Sequence, residues 1–189
     1  EIDRKSPTEK RVISRDETFD LLDASFNPIT GEPEAVKVSN DYKEWKPIND
    51  QSLMSEHLNF LNSTGLGVVD IVSRDNTNNT WTVCFSDSDK PPAHYLDKAQ
   101  QKKLTLIKED NLDLEQFKLA KTISFTYTAR DGETIHAFLT MPPHKSSENL
   151  PLIVNVHGGP ESSEDASWRG PDSQWAACRL GCAEVKVNF

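Results

Sequence analysis

A short peptide in the second half of the chain has the composition of a catalytic loop. The apolar run Leu152–Val156, which is typical of a strand, leads directly into His157-Gly158-Gly159-Pro160. Glycine lets the main chain approach a reacting oxygen without a Cβ in the way, and backbone N–H groups aimed at that oxygen stabilise the charge of a tetrahedral intermediate. The chemistry that His157, Gly158 and Gly159 could support is therefore acyl transfer, as an oxyanion-side loop.

The two glycines could instead form a plain tight turn, and the neighbouring elements favour the catalytic interpretation. Arg130-Asp131-Gly132 lies between two alternating runs, and Asp-Gly in that position is a strong hairpin signal. Strand, hairpin, strand, strand, glycine-rich loop, helix and strand is the opening order of an α/β-hydrolase sheet, whose first such loop supplies an oxyanion donor. The predicted elements are strands at Ile123–Thr128 and Thr134–Met141, a buried strand at Leu152–Val156, a helix over Asp172–Leu180 capped by Asp172 or Ser173, and a strand at Ala183–Phe189.

The first half of the chain is predicted to consist mainly of short antiparallel strands. Trp81, Val83 and Phe85 alternate with polar residues, which is the period-two pattern of a strand with one buried face. Four such runs separated by polar turns have the size of one β-propeller blade, about 40 residues. These runs are Val68–Ser73, Thr80–Ser86, Ala93–Asp97 and Leu104–Ile107; upstream, residues 50–62 predict an amphipathic helix and residues 1–50 predict short strands.

The second half of the chain resembles a known family of enzymes. The resemblance is to the prolyl oligopeptidase family of serine peptidases, and more narrowly to its acylaminoacyl-peptidase and dipeptidyl-peptidase-like branch. The family pairs a β-propeller with an α/β-hydrolase domain and cleaves short peptides admitted between them. The residues that carry the resemblance are Ala129 to Gly132, Ala137 to Pro142, Pro151 to Val154, His157 to Pro160, Gln174-Trp175 and Val187 to Phe189.

Carried over residue by residue, the resemblance assigns His157, Gly158 and Gly159 to the oxyanion-side loop. The segment from Glu161 to Ser167 departs from the family, which places an aromatic residue and then an Arg-Asp pair there. The chain also contains no Gly-x-Ser-x-Gly nucleophile elbow. We therefore expect that the chain contains no catalytic residue and that the Ser-Asp-His triad lies C-terminal to Phe189. The isolated chain is then expected to be an inactive fragment.

The expected fold class is mixed, with antiparallel β-propeller blades followed by the N-terminal part of an α/β-hydrolase domain. Residues 1–116 are expected to form the C-terminal part of a β-propeller-like domain. Residues 117–189 are expected to form the N-terminal part of the peptidase domain. The expected function is serine-type hydrolysis of short peptides or acyl-peptides. Two alternatives remain: a carboxylesterase or lipase-type hydrolase with a similar His-Gly-Gly loop, and a non-catalytic β-rich interaction module.

Composition and charge exclude several other classes of function. The net charge is −9 and the basic residues form no continuous block, which argues against nucleic acid as a partner. No apolar run approaches the roughly 18 residues of a membrane span. No residue pattern predicts a metal or a cofactor, so the expected partner is a peptide substrate, with a homo-oligomer possible.

The cysteines and glycosylation patterns bear on the compartment. Three cysteines, an odd number, favour a reducing compartment over a disulfide framework, and the expected localisation is cytoplasmic. Two Asn-x-Ser/Thr patterns, beginning at Asn62 and Asn78, leave secretion open.

Overall fold

The computed structural model describes residues 11–114, 116–159, 162–168 and 170–188. Within these ranges the chain is mostly β-sheet with few helices. The strands are β1 (Leu21–Phe26), β2 (Pro33–Ser39), β3 (Lys43–Pro47), β4 (Val68–Arg74), β5 (Thr80–Asp87), β6 (Lys90–Lys98), β7 (Lys103–Glu109), β8 (Thr122–Thr128), β9 (Thr134–Thr140), β10 (Leu152–Val156) and β11 (Ala183–Asn188). The helices are α1 (Leu53–Ser63) and α2 (Pro171–Gln174), and α2 continues as a π-helical segment, Trp175–Leu180.

The strands form three sheets. The first sheet has the order β1-β2-β3 and the second has the order β4-β5-β6-β7, both with antiparallel neighbours. The second sheet confirms the four strands that were predicted between Val68 and Ile107. Its strands follow one another in space as they do in sequence, because short turns connect antiparallel neighbours directly.

Helix α1 packs against the first and second sheets, and its buried residues form a common core with theirs. Ser52 caps the helix by accepting a hydrogen bond from the backbone N–H of Ser55 at 3.1 Å. Met54, Leu58 and Leu61 recur at helical spacing and are buried. They pack with Ala35 and Trp45 of the first sheet and with Val69, Trp81, Val83 and Phe85 of the second. Each fully buried side chain of this size contributes about 1.5–3 kcal/mol of hydrophobic stabilisation.

The third sheet has the order β8-β9-β11-β10. Strands β8 and β9 form the predicted hairpin, closed by a 2.8 Å hydrogen bond from Ala129 N–H to the carbonyl of Glu133. Strand β11 is antiparallel to β9 and parallel to β10. A parallel pair needs a crossover connection, and here the crossover runs through the loop after β10 and through α2.

The two faces of the third sheet differ in what covers them. On one face Phe138 and Lys186 are buried, and Lys186 Nζ donates a 3.1 Å hydrogen bond to Ser173 Oγ of α2. The other face is apolar, and its residues on the outer strands β8 and β10 are exposed. Register places two apolar rows on that face: Ile123, Leu139, Val185 and Val154, and next to them Phe125, Ala137, Val187 and Val156.

The prediction that Leu152–Val156 is a buried strand is wrong about its burial. The strand forms, but Leu152, Val154 and Val156 are 57%, 60% and 56% exposed. The physical reason is position, since β10 is an edge strand of the third sheet and all five of its residues are exposed.

The helix after the glycine-rich loop begins one residue earlier than predicted and uses a different cap. Gly170 is its N-cap and Pro171 is the first helical residue, where the missing N–H of proline costs no hydrogen bond. The predicted side-chain cap by Asp172 or Ser173 is therefore wrong. The helical segment ends at Leu180 and Gly181 follows in the left-handed conformation, as predicted.

The three cysteines, Cys84, Cys178 and Cys182, are free thiols. Burial raises the pKa of the Cys84 thiol, and the nearby carboxylate of Asp70 raises it further. No described helix is both long enough and apolar enough to cross a membrane.

Candidate functional site

The candidate oxyanion loop lies at the carboxyl end of the parallel pair in the third sheet. His157, Gly158 and Gly159 directly follow β10, whose last residue Val156 is in register with Val187 of β11. Ligand and catalytic sites of parallel sheets form at this end of the strands. The structure thus places these three residues directly after a strand of a parallel pair.

The main chain of the loop is accessible. Gly158 and Gly159 are exposed, and a Cβ built at Gly158 would meet no atom within 4 Å. Gly159 has a φ of +150°, a backbone conformation that residues other than glycine rarely adopt. The imidazole of His157 donates from Nδ1 to the carbonyl oxygen of Gly158 at 2.9 Å. The loop can thus present its backbone to a ligand while the histidine holds the main chain locally.

The segment that continues the loop is fixed against the end of β11. Glu164 N–H donates to Asn188 Oδ1 at 2.7 Å, and Asn188 Nδ2 returns a 3.1 Å hydrogen bond to the carbonyl of Glu164. Ser167 N–H donates to Asp165 Oδ1 at 2.7 Å. Pro160 and Glu161, which the sequence also assigned to this loop, lie outside the described residues. The 162–168 loop is therefore tied to the third sheet although its sequence departs from the expected pattern.

Gln174 connects α2 with the second sheet. Its side chain is 6% exposed and donates from Nε2 to the carbonyls of Ser88 and Ala120, both at 2.9 Å. Its Oε1 accepts from the N–H of Ala120 at 2.8 Å. Ser88 lies in the turn between β5 and β6, so one buried amide joins the helix, the segment before β8 and the second sheet. Sequence reasoning noted Gln174 only as part of a resemblance and gave it no role.

A second buried polar group lies away from the loop. His57 of α1 and Asp97 of β6 form a hydrogen bond at 2.5 Å beside Trp81. A cavity of about 460 Å³ opens next to this pair, lined also by Arg74 and Trp81. Its charged groups are paired with one another: Arg74 with Glu34 at 2.7 Å, and Lys102 with Glu56 at 2.7 Å. No sequence motif marked these residues, because their partners are distant in the chain.

Among the described residues, no group of three or more His, Cys, Asp or Glu side chains is arranged to hold a metal ion.

Comparisons with known proteins agree on one family. Dipeptidyl aminopeptidase BIII of Pseudoxanthomonas mexicana is 28% identical over 187 residues, covering 95% of this chain and 27% of that protein. Dipeptidyl peptidase family member 6 of Caenorhabditis elegans is 31% identical over 163 residues, covering 75% of this chain and 22% of that protein. The chain thus spans about a quarter of the length of these curated relatives. No family model matches the chain.

A solved structure shows the likeness at the level of the fold. A solved prolyl endopeptidase structure superimposes with a TM-score of 0.67 at 18% identity, covering 99% of this chain and 27% of that one. The chain is therefore a mostly β-sheet protein with a prolyl-oligopeptidase-like fold. It belongs to the prolyl oligopeptidase family, and its homologues are peptidases, as the sequence resemblance predicted.

Proposed function

We propose that the chain is part of a serine-type peptidase that hydrolyses short peptides or acyl-peptides. In this proposal residues 1–116 form the end of a β-propeller-like domain and residues 117–189 form the start of an α/β-hydrolase domain. The four-stranded meander of the second sheet supports the first assignment, since it has the strand order of a propeller blade. The parallel β10–β11 pair, connected through α2, supports the second.

The observation that carries the proposal is the position of His157–Gly159 at the carboxyl end of β10. In acyl transfer the carbonyl oxygen of the substrate becomes an oxyanion, and preorganised N–H donors stabilise it more strongly in the transition state than in the ground state. An exposed glycine main chain at the end of a parallel strand can supply such a donor. The proposed role of this loop is to bind the oxyanion, with His157 holding its main chain.

The nucleophile, the base and the acid that orients the base are proposed to lie outside these 189 residues. The sequence contains no Gly-x-Ser-x-Gly motif, and the curated relatives are about four times as long as the aligned segment. An oxyanion loop without a nucleophile and a base cannot form an acyl-enzyme. We propose that the 189-residue chain by itself has no peptidase activity.

A fluorophosphonate probe, which labels activated serines, tests this proposal. We expect no labelling of the 189-residue chain, and labelling of a longer form of the protein that contains the motif. In that longer form, Gly158→Ala should fold normally, because the added Cβ meets no neighbour. It should lower kcat about a hundredfold, the lower end of what losing access to one oxyanion donor costs. Unchanged kcat would remove Gly158 from the proposed site, and labelling of the short chain would overturn the proposed absence of a nucleophile.

A further inference from the structure

We propose that the turn between β2 and β3 in the first sheet positions the oxyanion loop of the third sheet. Together with the last residue of β2, Ser39, and the first residue of β3, Lys43, this turn contacts the 162–168 loop. The loop follows His157–Gly159 after two residues. This inference rests on the proposed function, because positioning matters for catalysis only if the loop binds an oxyanion. The contacts themselves do not depend on that function.

Three different kinds of contact hold the 162–168 loop to the β2–β3 turn. Lys43 Nζ forms an ion pair with Asp165 Oδ2 at 3.1 Å. The backbone N–H of Ala166 donates to the carbonyl of Asp41 at 2.7 Å. The hydroxyls of Ser39 and Ser163 are 3.2 Å apart. Because three residues of the loop, Ser163, Asp165 and Ala166, are engaged, the turn restrains the direction of the loop as well as its distance.

Burial makes the ionic contact important. The side chain of Asp165 is 1% exposed, and a buried carboxylate is costly unless a cation or hydrogen-bond donors compensate for its lost hydration. Lys43 supplies a cation from the first sheet, and its own side chain is 35% exposed. Loss of Lys43 therefore removes a cation from beside the buried carboxylate and weakens the attachment of the loop to the turn.

The turn is itself anchored on the second sheet. Tyr42, beside Lys43, donates a hydrogen bond from its hydroxyl to Asp87 Oδ1 at 2.9 Å. The 162–168 loop is held on its other side by Asn188 of β11. The loop is thus clamped between the first sheet and the third, with the second sheet supporting the clamp. Lys43, Asp41 and Ser39 are positioning residues in this scheme and do not touch substrate.

The test uses the ¹⁵N-labelled 189-residue chain and compares two lysines of the same strand. Lys43→Met breaks the pair with Asp165, and Lys46→Met breaks a similar pair with Asp16, 3.0 Å long and away from the loop. In Lys43→Met we expect the amide resonances of Gly158 and Gly159 to shift. We also expect exchange of the Ala166 amide to accelerate on the order of tenfold, the effect of losing one charge-assisted contact. Lys46→Met should change neither the glycine resonances nor the exchange rate of the Ala166 amide. Lys43→Arg should restore the wild-type spectrum.

Unmoved glycine resonances in a folded Lys43→Met variant overturn the inference. If that variant does not fold, Ser39→Ala provides the same comparison with a smaller perturbation, and unmoved glycine resonances there are equally decisive.

The two proposals can fail separately. In one outcome, Lys43→Met shifts the glycine resonances but leaves kcat unchanged in a catalytically competent longer form. This outcome supports the positioning of the loop and overturns its oxyanion role. A lower kcat with KM unchanged and rescue by Lys43→Arg supports both.

Discussion

His57 Nε2 of α1 lies 2.5 Å from Asp97 Oδ2 of β6, and the carboxylate is completely shielded from solvent. The edge of the imidazole contacts the ring of Trp81, with 4.5 Å between the ring centroids. On β4, the guanidinium of Arg74 stacks on the same indole at 5.0 Å and pairs with Glu34 of the first sheet. A chain of polar and aromatic contacts thus crosses the apolar core that α1 forms between the two sheets.

Replacing Asp97 with alanine should destabilise the chain strongly. The substitution leaves the buried His57 without its partner, and a buried polar group left unsatisfied costs about 1–3 kcal/mol. Chemical denaturation followed by tryptophan fluorescence measures the change, because Trp45 and Trp81 lie in this core. Asp50→Ala, at an exposed position before α1, is the control and should stay within about 0.5 kcal/mol of wild type. Equal effects of the two substitutions would contradict a structural role for the pair.

Tyr42 should make stability fall at alkaline pH. Burial, together with the hydrogen bond to Asp87 and the charge of that carboxylate, raises the pKa of Tyr42 to about 12. Between about pH 10 and pH 12 the folded chain retains a proton that the unfolded chain has released. The stability contributed by this group is therefore complete below pH 10 and is lost as the pH rises toward 12.

Urea unfolding of wild type and Tyr42→Phe, near pH 9 and pH 11, measures this contribution. The variant should lose less stability than wild type between the two pH values, since phenylalanine does not titrate. Near pH 7 the free energy of unfolding of the same variant should be roughly 1 kcal/mol lower than that of wild type, because one hydrogen bond is lost. Parallel pH profiles for the two proteins would contradict the raised pKa.

Local patterns in the sequence were enough to predict most elements but few of the contacts between them. Helix α1, the hairpin at Asp131-Gly132 and the alternating strand β5 follow from periodicity and turn chemistry, which act over a few residues. The apolar run of β10 predicted a strand but did not by itself show its exposure, because such a run does not show which face of a sheet is covered. The pair Lys43 and Asp165 is equally invisible, since its members are separated by most of the chain and neither belongs to a motif.

Gln174 should be more sensitive to substitution than an ordinary helical glutamine. Gln174→Leu keeps most of the side-chain volume but leaves two carbonyls and the N–H of Ala120 without their partner. A buried group left unsatisfied costs about 1–3 kcal/mol, so the free energy of unfolding should fall by a few kcal/mol. Gln51→Leu, at an exposed position, is the matched control. If both variants unfold at the same denaturant concentration, Gln174 does not join α2 to the second sheet.

The apolar face of the third sheet, which is exposed at its outer strands β8 and β10, should bind a hydrophobic dye. Ile123 on β8 and Val154 on β10 are 49% and 60% exposed and share one cross-strand row, so they belong to a continuous apolar surface. We expect the 189-residue chain to enhance anilinonaphthalene sulfonate fluorescence under native conditions. Ile123→Lys combined with Val154→Lys should remove most of that enhancement, because two charges interrupt the row. Val72→Lys changes an equally exposed valine of the second sheet and should leave the signal unchanged. A folded wild-type chain without dye binding would show that this apolar face is covered in solution.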